Sequence, residues 1–525
     1  MAKRVAIIGA GIGGLVAIKE CLVAGLEPVC FESCSYVGGL WHYDEGNDGD
    51  ENSPIYKNVF INISRDMLPF SDFPCPKDWP IYMSKPYVGK YLEMYADHFD
   101  LRRHVRFNHR VQRLRQDPAT KRWTVRYVAV EGDGKTPRGE DTDETYDWVF
   151  VCTGHYQDPY VPRFEGAERF KGRAMHAIEY CDFNGFSGKK VVVVGPGASG
   201  CDIAVELSYH AEVYLSSRNG TWLVPRVDKA NLPIDMSISR LVWSLPGRFQ
   251  LWYATTYVGI RPPGHLRPSH GFMDKWVPIA PNALLERISF GKVRTKPDIS
   301  RFAENGRDVE FVDGTVIRDV DVVIYATGYG YRFEFVDPEV MTNGTITAKD
   351  QIDGKTLKEN AWLWKGIIPP RHEGIAIRNG RSAPQSHIHP LTVPLSSELQ
   401  VRYLTSLITG RTQHPLPTPA EMDLQIVAQR KTIPPTHLVN FEPAYLNYFD
   451  WLANEAAGAT PEPLKIIREY GFGFWLKILT GPLVPSQWRL VGRDRWEGAK
   501  SVIEDCYRRI QEGDLIHVEI GSEKL

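Results

Sequence analysis

The sequence carries the same glycine-rich pattern twice. The first copy runs from Gly9 to Gly14 at the N-terminus, and the second runs from Gly195 to Gly200. Each copy follows an apolar run typical of a buried strand and precedes a helical pattern. A strand, a glycine turn and a helix in this order form the unit that binds a dinucleotide in Rossmann-like folds. We therefore predict an α/β protein with two Rossmann-like dinucleotide-binding domains.

The first copy has the features of a site for an adenosine with a free ribose. Gly9 allows a tight turn, Gly11 lets a pyrophosphate approach the backbone, and Gly14 lets the helix pack on the strand. The next apolar run ends at Glu32, whose carboxylate is suited to a ribose 2′-hydroxyl. The predicted contacts of this copy are Gly9, Ala10, Gly11, Ile12, Gly13, Gly14 and Glu32.

The second copy differs where the ribose would be recognised. Gly14 precedes Glu32 by eighteen positions, and Gly200 precedes Arg218 by eighteen positions. A guanidinium with the Ser217 hydroxyl beside it would bind a 2′-phosphate, which a carboxylate would repel. This pattern predicts NADPH in the second site. A hydride donor needs an acceptor, so we predict FAD in the first site.

Two further stretches indicate how the domains are connected. Apolar runs end in Thr153-Gly154 and in Thr327-Gly328, on either side of the second glycine motif. We expect the NADPH domain to be inserted into the FAD domain, which is followed by a mostly helical C-terminal region. The predicted segments are 1–161 (FAD domain, first part), 162–325 (NADPH domain, with an insertion near 219–305), 326–450 (FAD domain, second part) and 451–525 (helical region).

Composition excludes several classes of function. The chain of 525 residues has a formal net charge of −2, so there is no basic excess to neutralise nucleic-acid phosphates. Its eight cysteines show no disulfide spacing, which is typical of a reducing compartment. Ser386–Pro390 offers two histidines without nearby cysteines or acids, so we predict no metal.

Two stretches are rich in aromatic and leucine residues. They span Arg240–Ile260 and Tyr470–Val484, and neither is an uninterrupted apolar run of the ~20 residues that cross a bilayer. Such stretches are typical either of helices in a membrane interface or of core helices beside a cofactor. The sequence leaves this choice open.

Four stretches together resemble the flavin-containing monooxygenases, in particular their animal-type branch. Phe170–Tyr180, "FKGRAMHAIEY", matches the family fingerprint F-x-G-x-x-x-H-x-x-x-[Y/F] between the two glycine motifs. Phe60–Pro74, Ala326–Tyr329 and Pro485–Lys500 match other family stretches. The chain is thereby identified as a class B flavoprotein monooxygenase similar to N,N-dimethylaniline monooxygenase.

The resemblance implies a reaction. NADPH reduces FAD, dioxygen adds to give a C4a-hydroperoxyflavin, and one oxygen atom passes to a soft nitrogen or sulfur nucleophile, with water as co-product. The implied substrates are small lipophilic amines or thioethers, as in xenobiotic metabolism. The flavin supplies the oxidising power, so the protein must orient it and exclude water and stray protons.

The resemblance also implies individual site residues. Asn62 matches the catalytic asparagine, whose neutral amide forms hydrogen bonds without acting as a proton source. His176 in the fingerprint is expected to have a structural role. The other implied cofactor contacts are Gly39, Leu40, Trp41, Ser64, Val111, Thr153, Gly154, Gly195, Gly197, Ser199, Gly200, Cys201, Asp202, Ser217, Arg218, Thr327 and Gly328.

Several alternatives remain beside this interpretation. Animal members of the branch end in a hydrophobic anchor that is not seen here, so we expect the protein to be cytoplasmic or peripherally associated with the endoplasmic reticulum membrane. A homo-oligomer is left open. A Baeyer–Villiger monooxygenase is disfavoured because Tyr180 stands where its fingerprint has tryptophan. An uncoupled NADPH oxidase remains possible, and a non-catalytic dinucleotide sensor is disfavoured.

Overall fold

The structure is a computed structural model of the chain. It describes the following residues: 2–43, 55–156, 158–228, 231–246, 248–249, 252, 256, 258–271, 283–330, 333–341, 362–377, 393–432 and 444–513. The stretch Ser386–Pro390, considered above for metal binding, lies outside these ranges.

Strands and helices are mixed as far as residue 377, and the described elements after that residue are helices. The strands are β1 (Arg4–Ile8), β2 (Glu27–Phe31), β3 (Val105–Arg106), β4 (His109–Gln116), β5 (Trp123–Ala129), β6 (Thr142–Tyr146), β7 (Trp148–Val151), β8 (Asp158–Pro159), β9 (Arg173–His176), β10 (Lys190–Val194), β11 (Glu212–Ser216), β12 (Val293–Lys296), β13 (Ile299–Phe302), β14 (Val309–Phe311), β15 (Val316–Ile317), β16 (Val322–Tyr325), β17 (Tyr329–Gly330) and β18 (Ile375–Ile377). The helices are α1 (Ile12–Val23), α2 (Lys85–His98), α3 (Ala198–Leu207), α4 (Arg240–Ser244), α5 (Leu284–Ser289), α6 (Val393–Ile408), α7 (Pro419–Thr432), α8 (Ala444–Ala457), α9 (Pro463–Tyr470), α10 (Phe472–Thr480) and α11 (Ala499–Glu512).

Two parallel sheets carry the two glycine motifs. The first has the strand order β18-β7-β1-β2-β3, and the second has the order β12-β11-β10-β16-β9. In each sheet, the strand before the glycine motif lies at the centre, and the strand after the motif's helix lies next to it. Central strands that are covered on both faces have continuous apolar sequences, and the sequences of β1 and β10 are of this kind. The predicted α/β fold with two Rossmann-like units is confirmed.

The path of the chain explains how the two sheets are connected. The first sheet takes its strands from residues 4–151 and from β18, whereas every strand of the second sheet lies between residues 173 and 325. The chain therefore leaves the first sheet after β7 and returns to it with β18. The domain boundaries themselves stay a prediction.

Helices of the C-terminal third cover the back of the first sheet. Helix α6 packs against α1 and against α8, and their apolar side chains share one core with the helices α2 and α11. The second sheet has separate cores on its two faces. Within the described ranges, no helix has the length and apolar character needed to cross a membrane.

Candidate functional site

The two glycine turns have the same backbone geometry. Gly9 and Gly195 adopt φ values of +97° and +103°, a region that favours glycine. A Cβ atom on Gly14 would lie 1.8 Å from the Gly9 carbonyl oxygen, and one on Gly200 would lie 1.9 Å from that of Gly195. Only glycine fits at either position. The two motifs are therefore copies in structure as well as in sequence.

Both helices that follow the glycine turns begin with open N-termini. Gly11 caps α1 and Gly197 caps α3, and neither helix has a side-chain cap. A Cβ atom on Gly11 would approach nothing closer than 3.8 Å, and one on Gly197 nothing closer than 4.0 Å. Exposed N–H groups at a helix N-terminus bind phosphate oxygens. Both turns therefore fit the pyrophosphate of a dinucleotide.

Glu32 fixes the first turn from the neighbouring strand. Its Oε2 accepts a hydrogen bond from the Ala10 backbone N–H at 2.6 Å, and its Oε1 accepts one from Cys34 N–H at 2.9 Å. The side chain is buried. In the second motif Pro196 stands at the place of Ala10 and has no N–H to donate. This hydrogen bond from the glycine turn to a carboxylate can therefore form in the first motif only.

The strand register corrects the equal spacing that the sequence indicated. Ile8 pairs with Phe31 in the first sheet and Val194 pairs with Ser216 in the second. The residue that corresponds to Glu32 is therefore Ser217, and Arg218 lies one position further along. The connection between the paired strands is one residue shorter in the second unit, and the count from the last glycine does not show this.

The remaining predicted residues of the first site lie around its glycine turn. Residues Gly39–Trp41 form a 3-10 turn, and a Cβ atom on Gly39 would lie 3.1 Å from the Gly11 Cα. Thr153 and Gly154 follow β7, and a Cβ atom on Gly9 would lie 2.9 Å from the Cys152 carbonyl oxygen. Val111 lies on β4, the strand whose His109 N–H donates to the Glu32 carbonyl.

Thr327 and Gly328 occupy the matching place in the second site. A Cβ atom on Gly195 would lie 2.6 Å from the Ala326 carbonyl oxygen. His176 binds this turn, because its Nε2 donates to the Gly328 carbonyl at 3.0 Å while its Nδ1 accepts from Ile178 N–H. Burial lowers the pKa of His176. These two hydrogen bonds hold the ring against the Gly328 turn, and the structural role expected from the sequence stays a prediction.

Asn62 is held by an arginine that the sequence analysis did not select. The Arg226 Nη2 donates to the Asn62 Oδ1 at 2.6 Å. Burial lowers the pKa of Arg226, but Asp202, Tyr82 and Tyr56 act in the opposite direction. Among the described residues, the Asn62 amide nitrogen has no hydrogen-bond partner. The amide therefore has a fixed oxygen and two N–H donors available.

A short segment before Asn62 contacts the helix of the second glycine motif. The Tyr56 hydroxyl donates to the Asp202 carboxylate at 2.7 Å, and the Asn58 amide donates to Glu206 at 2.7 Å. Burial raises the pKa of Asp202. Ser199, Gly200 and Cys201 lie in the first turn of the same helix. These contacts bring the Asn62 segment to the second dinucleotide site.

Ser64 contacts a buried acid. Both its backbone N–H and its hydroxyl donate to the Asp235 Oδ2, at 2.7 and 2.8 Å. Burial raises the pKa of Asp235 to about 6. Its Oδ1 is buried and has no hydrogen-bond partner among the described residues. The Asn62–Ser64 turn is thus held from two sides, by Arg226 and by Asp235.

Sequence reasoning missed Arg226, Asp235 and Tyr56. None belongs to a glycine motif, and the first two lie more than 150 positions from the residues they bind. Their positions carry no local spacing signal. Within the described residues, no group of three or more histidine, cysteine or acidic side chains could hold a metal ion.

Comparison with known proteins identifies the family. The family model described as flavin-binding monooxygenase-like matches residues 2–516. Flavin-containing monooxygenase 5 of Rattus norvegicus is 34% identical over 529 residues, which cover 97% of this chain and 92% of the relative. Dimethylaniline monooxygenase (N-oxide-forming) 2 of Cavia porcellus is 32% identical, with 97% and 92% covered.

Solved structures share the fold. S-allyl-L-cysteine S-oxygenase from Allium sativum superimposes with a TM-score of 0.63 at 23% identity, covering 98% of this chain and 99% of that one. A cyclohexanone monooxygenase gives a TM-score of 0.58 at 17% identity, with 90% and 99% covered. The predicted flavoprotein with FAD and NADPH as cofactors is confirmed, whereas the individual site residues stay predictions. The chain belongs to the flavin-binding monooxygenase-like family and is a flavin-dependent monooxygenase.

Proposed function

We propose that the protein transfers one oxygen atom from dioxygen to a soft nitrogen or sulfur atom of a small lipophilic amine or thioether, at the expense of NADPH. The observation that carries this proposal is the Asn62 amide held by Arg226 beside the second dinucleotide site. The relatives' names agree with it, since one is N-oxide-forming and one structural neighbour is an S-oxygenase.

The two glycine motifs divide the cofactors. The first motif, with Glu32, would hold FAD, and the second, with Ser217 and Arg218, would hold NADPH. We propose the segment boundaries given above, with 162–325 inserted, as the limits of these domains. The chemistry that bound flavin supplies is hydride acceptance and activation of dioxygen.

The chain's own residues orient and protect the reacting groups. The open N-termini of α1 and α3 would fix the two pyrophosphates. Asn62 has two N–H donors to direct at the junction of the cofactors, and as a neutral amide it has no acidic proton to release there. Arg226 holds the amide oxygen, so the donors cannot exchange places with it.

The test is a product analysis. The protein loaded with FAD is mixed with NADPH and air and with a tertiary amine, a thioether or a cyclic ketone in parallel. We expect an N-oxide or an S-oxide in a ratio near one to the NADPH consumed, with little hydrogen peroxide. Lactone formation from the ketone alone would contradict the proposal in favour of Baeyer–Villiger chemistry, and hydrogen peroxide without product would identify an NADPH oxidase.

We also propose peripheral contact with a membrane, such as that of the endoplasmic reticulum. Helix α10 packs on α4, and together they expose Leu241, Phe472 and Leu476. An exposed apolar face beside basic side chains such as Lys477 is typical of an interfacial helix.

A vesicle assay tests this contact. The parent protein should float with phosphatidylcholine–phosphatidylserine vesicles, and Leu476→Asp should reduce the bound fraction because it places a charge on the apolar face. Val316→Asp introduces the same charge at an exposed valine on the second sheet's side and serves as the control. Equal flotation of both variants, or none of the parent, would contradict the proposal.

A further inference from the structure

The loop after β11 presents Arg218 at the surface. Ser217 N–H donates to the Lys296 carbonyl at 2.9 Å, and Gly220 N–H donates to the Ser217 hydroxyl at 2.9 Å. Ser217 is buried by these contacts, whereas Arg218 is exposed. The loop is therefore a fixed turn with a guanidinium at its tip.

A distant segment lies along this turn. Ser269 N–H donates to the Asn219 carbonyl at 3.0 Å, and Thr221 N–H donates to the Leu266 carbonyl at 3.0 Å. A Cβ atom on Gly220 would lie 2.3 Å from the Arg267 carbonyl oxygen, so the two backbones are in direct contact. Leu266 is fully buried and anchors the segment. Arg267 is thereby held beside the turn that carries Arg218.

The guanidinium groups of the two arginines have no anionic partner within the described part of the chain. Neither the Arg218 side chain nor the Arg267 side chain forms a hydrogen bond, an ion pair or a ring contact there. Residues 217–227 and 258–271 contain no aspartate or glutamate. Several other exposed arginines among the described residues lie beside a carboxylate, as Arg301 does beside Glu310. Two uncompensated guanidinium groups on adjacent backbones indicate a site for an anion.

The other cations nearby are already engaged. Their contacts are His265 with Asp313 at 3.6 Å, Arg261 over the Trp222 ring at 4.6 Å, and Lys296 with the Thr315 hydroxyl at 2.9 Å. Arg218 and Arg267 therefore remain as the charges that a ligand can reach.

We propose that Arg267 is a second guanidinium of the 2′-phosphate subsite and that it acts with Arg218 to select NADPH over NADH. This inference rests on the proposed function, in which the second glycine motif holds NADPH. A phosphate monoester carries a charge of about −1.5 to −2 at neutral pH, which a single guanidinium compensates only in part. The segment 258–271 therefore contributes to cofactor selection, although it lies about 40 to 50 positions after Arg218 in the sequence.

The experiment measures binding of 2′,5′-ADP by calorimetry to the FAD-loaded protein, with 5′-AMP as the ligand that lacks the 2′-phosphate. Arg267→Gln and Arg218→Gln should each weaken 2′,5′-ADP binding by roughly tenfold to a hundredfold, the range for a charge-assisted hydrogen bond, without changing 5′-AMP binding. Arg261→Gln removes the same charge from the same segment and should leave both ligands unchanged. Flavin reduction by NADPH, but not by NADH, should slow in the first two variants.

The outcomes separate this inference from the function on which it rests. Unchanged 2′,5′-ADP binding in Arg267→Gln, together with weaker binding in Arg218→Gln, would overturn the role of Arg267 and leave the NADPH site in place. A parent protein that binds 2′,5′-ADP no better than 5′-AMP would overturn the NADPH site itself. Equal weakening in Arg267→Gln and Arg261→Gln would show a general effect of charge and would also overturn the specific role.

Discussion

Asp235 is a buried acid that forms no ion pair with any of the described residues. Ser64 donates both of its hydrogen bonds to one carboxylate oxygen, and Asp66 lies close enough to disfavour a second negative charge. Burial is the larger effect, and it raises the pKa of Asp235 to about 6. A carboxyl whose pKa is raised on folding stabilises the fold below its unfolded pKa, and this contribution is lost as the pH rises through the folded pKa.

The variant Asp235→Asn tests whether the stabilising contribution of this carboxyl falls as the pH rises. From pH 4 to pH 8, the free energy of unfolding of the variant should improve relative to the parent by about 2–3 kcal/mol, the equivalent of a two-unit shift in pKa. Urea unfolding at the two pH values measures it. Asp78→Asn changes an exposed aspartate and should show no such trend. A constant difference between Asp235→Asn and the parent would contradict the raised pKa.

The hydrogen bond between Arg226 and Asn62 can also be tested by a single substitution. Asn62→Ala removes both the amide donors and the acceptor for Arg226. We expect less oxygenated product and more hydrogen peroxide per NADPH, with a loss of product of roughly tenfold or more, as when one positioned polar group is removed from an active site. Asn184→Ala, in an exposed turn closed by Asp182, is the control. Unchanged coupling in Asn62→Ala would remove Asn62 from the site.

At the scale of elements, the two strand–turn–helix units are interchangeable in geometry but differ in their ligands. Gly14 and Gly200 are fixed by packing, because a Cβ atom there would overlap a carbonyl oxygen. An added Cβ atom on Gly11 or Gly197 would make only ordinary van der Waals contacts, at 3.8 Å or more. Their small size therefore serves the approach of a ligand and is not required by the fold.

A matched pair of variants tests this distinction. Gly11→Ala should fold but lose FAD, because its methyl group occupies the space where the pyrophosphate approaches the helix. Gly197→Ala should keep its FAD and its yellow colour but show a KM for NADPH raised roughly tenfold or more, the cost of one lost charge-assisted contact. Absorbance spectra and reduction kinetics measure both. Loss of FAD in Gly197→Ala would contradict the division of cofactors between the two units.

At the scale of the whole molecule, one buried ionic cluster joins distant parts of the chain. Arg489 donates to Glu20 of α1 at 2.7 Å, to Glu398 of α6 at 2.8 Å and to the Ser71 hydroxyl at 2.8 Å. Burial would lower the pKa of Arg489, but Glu20, Glu398 and Asp72 raise it well above its ordinary value. The cluster thus connects the C-terminal region to helix α1 and to the stretch that carries Asn62.

Removal of the Arg489 guanidinium should destabilise the folded protein. Arg489→Met leaves Lys19 as the only described cation beside Glu20 and Arg402 as the only described cation beside Glu398. The buried cluster then lacks one compensating positive charge, which we expect to lower the free energy of unfolding by about 3–5 kcal/mol. Arg495→Met breaks the half-exposed pair with Glu469 and should cost at most about 1 kcal/mol. Chemical denaturation of the FAD-loaded proteins measures both. Similar losses in the free energy of unfolding for the two variants would show that the buried cluster stabilises the fold no more than an exposed ion pair does.

The sequence was most informative where the chemistry is local. A glycine turn, its strand and its helix lie within about 25 residues of one another, so the two Rossmann-like units and the cofactors could be predicted from residue types and spacing. The family followed from the resemblance of four stretches to a known family. The neutral amide of Asn62 came from the resemblance alone. Counting residues from the last glycine of each motif was nevertheless off by one position. The count aligned Arg218 with Glu32, whereas the strand register aligns Ser217 with Glu32.

Tertiary structure decided everything that depends on residues far apart in the chain. Asn62 meets Arg226, Ser64 meets Asp235, and Glu20 meets Arg489 across 164, 171 and 469 positions. No periodicity connects such pairs, because their proximity arises only when the two sheets and the C-terminal helices pack. Residue types and their spacing were sufficient to indicate the two cofactors. The packing of the chain determined which side chains hold Asn62, since burial and long-range contacts exist only in the folded chain.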